Sequence, residues 1–172
     1  MLKKIIVLFV SALVIALPAS ATSYTEKKEN KNNTATASQP INVSKEENNT
    51  VAQEIVSLVN KERTIAGLAP IALDAELTKV AQLKSQDMQS KNYFSHTSPT
   101  YGSPFEMMKQ FGISYKSAGE NIAMGQTTAE QVMDAWMNSE GHRANILDSK
   151  FTHIGVGYVE KGHYWTQMFI KK

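Results

Sequence analysis

The pattern of apolar and polar positions predicts helices in the first part of the folded region and strands in the last part. In four stretches the apolar residues recur three and four positions apart, which is typical of an amphipathic helix. The stretches follow the capping residues Thr50, Asp74, Ser103 and Thr128. The second stretch carries Lys84 on its otherwise apolar face.

The end of the chain changes to the period of strands. In HIGVGYV, the residues Ile154, Val156 and Tyr158 alternate with glycines, and EKGH then reads as a turn. The following segment, YWTQMFI, has apolar residues on both faces. Because a strand that is apolar on both faces is covered on both faces, this hairpin is expected near the middle of a small sheet. The sequence therefore predicts an α+β fold, a three-layer α-β-α sandwich.

Two N-terminal segments are predicted to lie outside this domain. Residues 1–21 have a basic start, an apolar run of 13 residues and an Ala-Ser-Ala end, which indicates an export signal cleaved after Ala21. The run is shorter than the ~20 apolar residues of a spanning helix, so no membrane span is expected after cleavage. Residues 22–50 are polar and predicted to be a disordered linker. Residues 51–172 form the predicted domain.

Charge and cysteine content exclude some classes of function. The chain has 18 Lys and Arg against 16 Asp and Glu, and two of the lysines lie in the predicted signal, so 16 of each remain. A neutral domain argues against a nucleic-acid partner, which normally requires a basic surface. The chain has no cysteine, which excludes disulfides and a thiol nucleophile.

The candidate chemistry is spread over three short segments. The histidines are His96, His142, His153 and His163. No pair of them has the HExxH spacing of a helical zinc site. His96 lies in YFSH, Glu120 in GENIA, and Glu140, His142 and Arg143 in WMNSEGHRANIL. A half-buried carboxylate such as that of Glu120 needs a partner. These residues either form a catalytic or metal site or only stabilise the fold.

Five segments occur here in the order found in one known family. YFSH, AGENIA, WMNSEGHRANIL, IGVG and YWTQMF resemble the CAP superfamily of cysteine-rich secretory, antigen-5 and pathogenesis-related proteins, in particular its bacterial secreted SCP-like branch. The resemblance covers residues 51–172. It implies a three-layer α-β-α sandwich with a shallow cleft, where two histidines and two acidic residues converge and hold a divalent metal in some members.

The resemblance assigns only two of these four cleft residues at their usual positions. By resemblance, His96 matches the first histidine and Glu120 the first acid. The position of the second acid is Ser139, and that of the late histidine is Tyr164. Because these two family residues are missing, the predicted sites also include other residues at or near their positions. The predicted cleft is His96, Glu120, Glu140, His142 and Tyr164, and the predicted zinc ligands are His96, Glu120 and His142. The residues predicted to be structural are Arg143 and Asn145, which tie the short helix to the sheet, and Trp136.

The sequence thus predicts a secreted binding module of the extracellular space or cell envelope, possessing a cleft around His96 and Glu120. The resemblance implies a lipid, cell-wall material or another protein as ligand, and the domain is expected to be extracellular or associated with the cell wall. The alternative is a metal-assisted hydrolase, a peptidase in which Glu120 is the general base and His96 a ligand or acid. A purely structural polar cluster is the third interpretation.

Overall fold

The computed structural model describes the backbone of residues 41–172 and the side chains of residues 50–172. The predicted signal peptide and residues 22–40 of the predicted linker lie outside the described residues. Within residues 41–172, every helix is too short or too polar to cross a bilayer.

The described residues form five helices and four strands. The helices are α1 (Ile41–Ile65), α2 (Ala75–Ser90), α3 (Pro104–Gln110), α4 (Ala129–Met137) and α5 (Glu140–Ile146). The strands are β1 (Ala72–Leu73), β2 (Ser117–Met124), β3 (His153–Val159) and β4 (Tyr164–Lys171).

Three of the four predicted helix starts are confirmed by their caps. The side chains of Asp74, Ser103 and Thr128 accept hydrogen bonds from the backbone three residues on. The fourth prediction is wrong, because α1 begins at Ile41 and Thr50 lies inside it. Residues 41–50 were predicted as part of the linker, but the structure places them in this helix. Extending a packed helix costs far less than starting one, so polar residues can continue it.

The four strands form one mixed sheet in the order β1-β3-β4-β2. β1 is parallel to β3, whereas β4 is antiparallel to both β3 and β2. The predicted hairpin, β3 and β4, therefore lies in the middle of the sheet. β2, which contains the GENIA segment, is an edge strand.

The sheet lies between two layers of helices. Side chains alternate along β4, so Met168 and Ile170 point to one layer and Trp165 and Phe169 to the other. Met168 and Ile170 pack with buried residues of α2 and α3. Trp165 and Phe169 pack with buried residues of α1 and α4. The predicted three-layer α-β-α sandwich is confirmed.

A buried arginine joins α1 to the segment that follows α5. Arg63 is 1% exposed, and its guanidinium donates four hydrogen bonds of 2.9 to 3.3 Å to backbone carbonyls. The acceptors are the carbonyl oxygens of Ala69, Ile146, Asp148 and Phe151. The end of α5 is thus fixed from the first helix of the fold, by a residue that the sequence pattern does not single out.

Candidate functional site

The site is centred on a contact between an edge strand and a loop. Glu120 lies on β2, and its side chain points to the side of α2 with only 2% of its area exposed. His96 lies in the loop between α2 and α3, and its side chain is 53% exposed. The two meet through His96 Nδ1 and Glu120 Oε1, which are 2.7 Å apart. The structure therefore brings together the two residues that the sequence predicts to converge.

A buried carboxylate holds the loop that carries His96. Asp87, near the end of α2, accepts hydrogen bonds of 2.6 Å from the hydroxyls of Tyr93, Ser98 and Thr100. The ammonium of Lys91 lies 3.4 Å from the same carboxylate. Burial alone would raise the pKa of Asp87, but the three hydroxyls and Lys91 outweigh it and hold this pKa below its usual value. Asp87 is therefore a charged anchor that fixes both ends of the loop.

The Asp87 anchor predicts an acid-sensitive contribution to stability. Because the folded state lowers the pKa of Asp87, its contribution is present above the unfolded pKa of about 3.9 and is lost as the pH falls through the lower folded pKa. Urea unfolding across pH should show a decline of the free energy of unfolding below about pH 4. In Asp87→Asn the free energy of unfolding should be lower by about 2 kcal/mol at pH 7, and the acid decline should be shallower.

Asp134→Asn provides the matched control for this prediction, because Asp134 is an exposed carboxylate of α4. Its acid decline should follow that of the wild type. An Asp87→Asn protein whose pH profile is merely displaced, with an unchanged slope, would contradict the anchor role.

A buried lysine completes the inner side of the site. The side chain of Lys84, on α2, has no exposed area, and its Nζ lies 3.8 Å from Glu120 Oε1. The same ammonium donates a hydrogen bond to the backbone carbonyl of His96. Burial lowers the pKa of Lys84, and the carboxylates of Glu120 and Asp87 oppose this shift. The sequence did carry a signal for this residue, since Lys84 is the charged position on the apolar face of a helix.

The second histidine of the site approaches from α5, beyond the edge of β2. His142 is half-buried, and its pKa is lowered by burial and by the charge of His96. Its backbone carbonyl accepts a hydrogen bond of 3.1 Å from the side chain of Asn121. Asn121 also donates to the Gln167 side chain at 3.1 Å. The buried side chains of Asn121 and Gln167 therefore place His142 beside the strand that carries Glu120. The motifs assign no role to either of these amides.

Two of the three residues predicted to be structural bind the carbonyls of β2. Asn145 donates to the carbonyl of Glu120 at 3.2 Å, and Trp136 Nε1 donates to that of Ile122 at 3.3 Å. The prediction for Arg143 is wrong, because its side chain is exposed. Arg143 precedes Asn145 by two residues, about 200° around a helix, so it points away from the strand that Asn145 binds.

Two residues of the predicted cleft lie elsewhere. Glu140 is exposed and, with Arg143, lines a surface hollow of about 510 Å³ formed by α4 and α5. Tyr164 is 8% exposed and packs with Met88 and Ile122. Its aromatic ring fills space beneath α2 instead of facing solvent. The structure therefore removes Glu140 and Tyr164 from the predicted cleft, and of the remaining residues it brings His96 and Glu120 into contact.

The comparison with known families agrees with this arrangement. A model of the cysteine-rich secretory protein family, CAP, matches residues 56–169, which is more than half of the chain. The chain belongs to the CAP family.

Two proteins of Bacillus subtilis resemble the chain. It is 58% identical over 154 residues to the uncharacterized protein YkwD of Bacillus subtilis (strain 168), and the match covers 90% of the chain and 56% of YkwD. It is 41% identical over 123 residues to YlbC, an uncharacterized membrane protein of the same strain, covering 72% of the chain and 35% of YlbC. The chain therefore spans about half of the first relative and a third of the second.

A solved structure supports the family and the fold. The crystal structure of an extracellular protein containing a SCP domain from Bacillus anthracis (strain Ames) has a TM-score of 0.71 and 38% sequence identity to this chain. The match covers 78% of this chain and 45% of that one. The predicted membership of the CAP superfamily and the predicted sandwich are confirmed.

The residues at this CAP site do not fit a zinc ion. Zinc normally takes three or four protein ligands. Within the part of the chain that the structure describes, no three His, Asp or Glu side chains come together as a group that could hold a metal. The Nδ1 of His96 contacts the Oε1 of Glu120, and Lys84 places a positive charge 3.8 Å from the same oxygen. The predicted ligand set of His96, Glu120 and His142 is thus not assembled.

The geometry of Glu120 does not support a general base. Its Oε1 is engaged by His96, and its Oε2 is buried without a hydrogen-bond partner among the described residues. A general base must reach the proton that it removes, directly or through one water. The exposed group of this pair is the imidazole of His96, so the side chain available to a ligand is the histidine.

Proposed function

We propose that this CAP domain is a secreted binding module whose ligand contacts the exposed imidazole of His96. One observation carries the proposal: a half-exposed histidine is held in a fixed orientation by a carboxylate that is itself 2% exposed. A ligand then meets a ring whose position is set before binding, which reduces the entropy lost on association.

Three elements hold that histidine in position. The Asp87 anchor fixes the loop on both sides of His96, Glu120 fixes the ring, and Lys84 fixes the backbone carbonyl of the same residue. A rigid polar group on a loop that a scaffold fixes is typical of a binding site. His142 adds a second ring at the edge of β2. Its pKa is lowered by burial and by the charge of His96, which favours its neutral form.

The ligand classes that we propose come from the family. CAP resemblance implies lipids, cell-wall material or proteins, and the similar Bacillus anthracis protein is described as extracellular. The signal predicted in residues 1–21 supports export of this chain to the same compartment. A neutral domain with a polar, largely uncharged exposed site suits a ligand rich in hydroxyl and amide groups, such as the glycan strands of the cell wall, better than an anionic lipid surface.

Co-sedimentation tests this function. The protein without its predicted signal is mixed with purified bacterial cell walls or with phosphatidylglycerol vesicles, and the bound fraction is measured. We expect saturable binding to walls. His96→Ala should weaken it about 10-fold, because it removes the one polar group that the site presents in fixed geometry. His153→Ala is the matched control, because His153 begins β3 and its ring contacts the preceding residue, Thr152, and not Glu120.

Two results would contradict the proposal. Equal wall binding by the wild type and His96→Ala would place the binding surface elsewhere. Cleavage of peptides by the wild type, abolished by a chelator and by Glu120→Ala, would support the hydrolase instead.

A further inference from the structure

Lys84 is buried although packing alone does not favour an ammonium in this position. Lysines are almost never fully buried unless they are paired, because moving an ammonium out of water is costly. Lys84 has no exposed side-chain area, and its partners are both parts of the His96 site, the Glu120 carboxylate and the His96 carbonyl. Its ammonium also lies 6.0 Å from the centre of the Tyr93 ring.

The ammonium of Lys84 stabilises the carboxylate of Glu120 more than that of Asp87. Asp87 already receives three hydroxyl hydrogen bonds and the ammonium of Lys91. The carboxylate of Glu120 receives one hydrogen bond, from His96, and its second oxygen is buried without a hydrogen-bond partner in the described part of the chain. A buried carboxylate is stabilised by a positive group close to it. Lys84 is that group, at 3.8 Å.

The contact with Glu120 decides which nitrogen of the His96 ring carries the proton. A carboxylate can only accept hydrogen bonds, so the Nδ1 of His96, 2.7 Å away, must carry the proton and donate it. In a neutral imidazole with its proton on Nδ1, the other nitrogen, Nε2, is an acceptor. If the carboxylate moved away, Nδ1 would lose its acceptor, and the ring proton would be free to move to Nε2.

We propose that Lys84 determines what the site selects: by holding the carboxylate of Glu120 against Nδ1 of His96, it keeps Nε2 of His96 a hydrogen-bond acceptor for a donor group of the ligand, such as a hydroxyl or an amide N–H. Lys84 is a positioning residue, since it acts through Glu120 and His96 and does not contact the ligand. It supplies the positive charge within the fold, so recognition needs no divalent ion. This inference rests on the proposed function, because it specifies the ligand group at the same site.

The protonation of the His96 ring tests this inference directly. Long-range correlation spectra of 15N-labelled protein report which ring nitrogen carries a proton, and at about pH 8 an ordinary imidazole is neutral. The wild type should show Nδ1 protonated and Nε2 free. In Lys84→Met, Nε2 should become protonated, because the carboxylate of Glu120 is no longer held where it keeps the ring proton on Nδ1.

Two variants control for loss of packing. Lys84→Arg keeps the charge and should restore the free Nε2. Lys79→Met removes an exposed lysine of the same helix, which pairs with Glu76, and should leave the ring unchanged. Binding of Lys84→Met to cell walls should be about 10-fold weaker than that of the wild type, because a donor in the ligand then meets a donor in the site.

The outcomes separate this inference from the proposed function. Two results overturn the role of Lys84, regardless of the outcome of the wall-binding assay. One is an unprotonated Nε2 in Lys84→Met, and the other is a protonated Nε2 in the wild type at the same pH. The wild-type spectrum decides even if Lys84→Met does not fold. Stoichiometric Zn²⁺ that shifts the ring signals of wild-type His96 overturns recognition without a metal. Absence of wall binding by the wild type would refute the wall-binding function. The ring spectra would still test the effect of Lys84 on the His96 ring.

Discussion

Arg63→Met is expected to lower the free energy of unfolding by about 3 to 5 kcal/mol. The change removes a buried guanidinium and leaves four backbone carbonyls without the donor that they share. Methionine keeps the apolar stem of the side chain and has no donor, so the carbonyls lose their partners. Burial lowers the pKa of Arg63, and Asp148 opposes this shift. An arginine nevertheless stays charged at neutral pH, so the lost hydrogen bonds are charge-assisted.

Arg143→Met is the matched control for this prediction. The same substitution is made at an exposed arginine on α5, where the free energy of unfolding should change by no more than about 0.5 kcal/mol. Urea unfolding of the two variants beside the wild type measures both values. Similar losses at the two positions, or a larger one at Arg143, would contradict the assignment of the structural tie to Arg63.

The contrast between the two arginines shows where sequence reasoning about this fold stops. Arg143 lies in a segment that the family motif marks, so a structural role was assigned to it, whereas Arg63 lies in an ordinary amphipathic helix. What distinguishes them is burial, and the partners of Arg63 are up to 88 residues away along the chain. Helical periodicity predicts which face of α1 is apolar, but it does not say which loop will cover that face.

The architecture was predictable because it depends on local periods. The alternation in β4 places Met168 and Ile170 opposite Trp165 and Phe169, and this alone requires a layer of helices on each side. The caps at Asp74, Ser103 and Thr128 are also local, since each binds an amide three residues on. The start of α1 was not predictable in this way, because polar residues before Thr50 carry no apolar period.

The site was predictable only in part, for a related reason. The motifs identify His96 and Glu120, which meet although they are 24 residues apart. They do not identify Lys84, because a lysine on an apolar face has no spacing rule that connects it with a carboxylate on β2. Glu140 follows Ser139, which is the position of the second acid of the family, whereas Tyr164 occupies the position of the late histidine itself. A shift of one residue in a helix or strand changes the face on which a side chain lies.

Gly157→Ala is expected to lower the free energy of unfolding by about 3 kcal/mol or more, because a side chain at this position has no room. An ideal Cβ on Gly157 would lie 2.3 Å from the backbone carbon of Ala81 on α2. The contact is with backbone, so a rotamer change cannot relieve it. Helix and strand meet closely here, as the hydrogen bond of 3.2 Å from Ser85 Oγ to the Gly157 carbonyl shows.

Gly141→Ala is the control, because an added Cβ at Gly141 on α5 meets nothing within 4 Å. Alanine is the better helix former, so this variant should be more stable by up to about 1 kcal/mol. Equal stability of Gly157→Ala and the wild type would mean that α2 and β3 are not in such close contact.

The close approach at Gly157 also matters for the proposed function. Lys84 follows Ala81 by three residues on α2, so any displacement of this helix from the sheet moves the ammonium away from Glu120, now 3.8 Å away. Gly157→Ala should therefore weaken wall binding even under conditions where it remains folded, whereas Gly141→Ala should not. A folded Gly157→Ala protein with wild-type binding would show that the distance between α2 and the sheet does not control the His96 site.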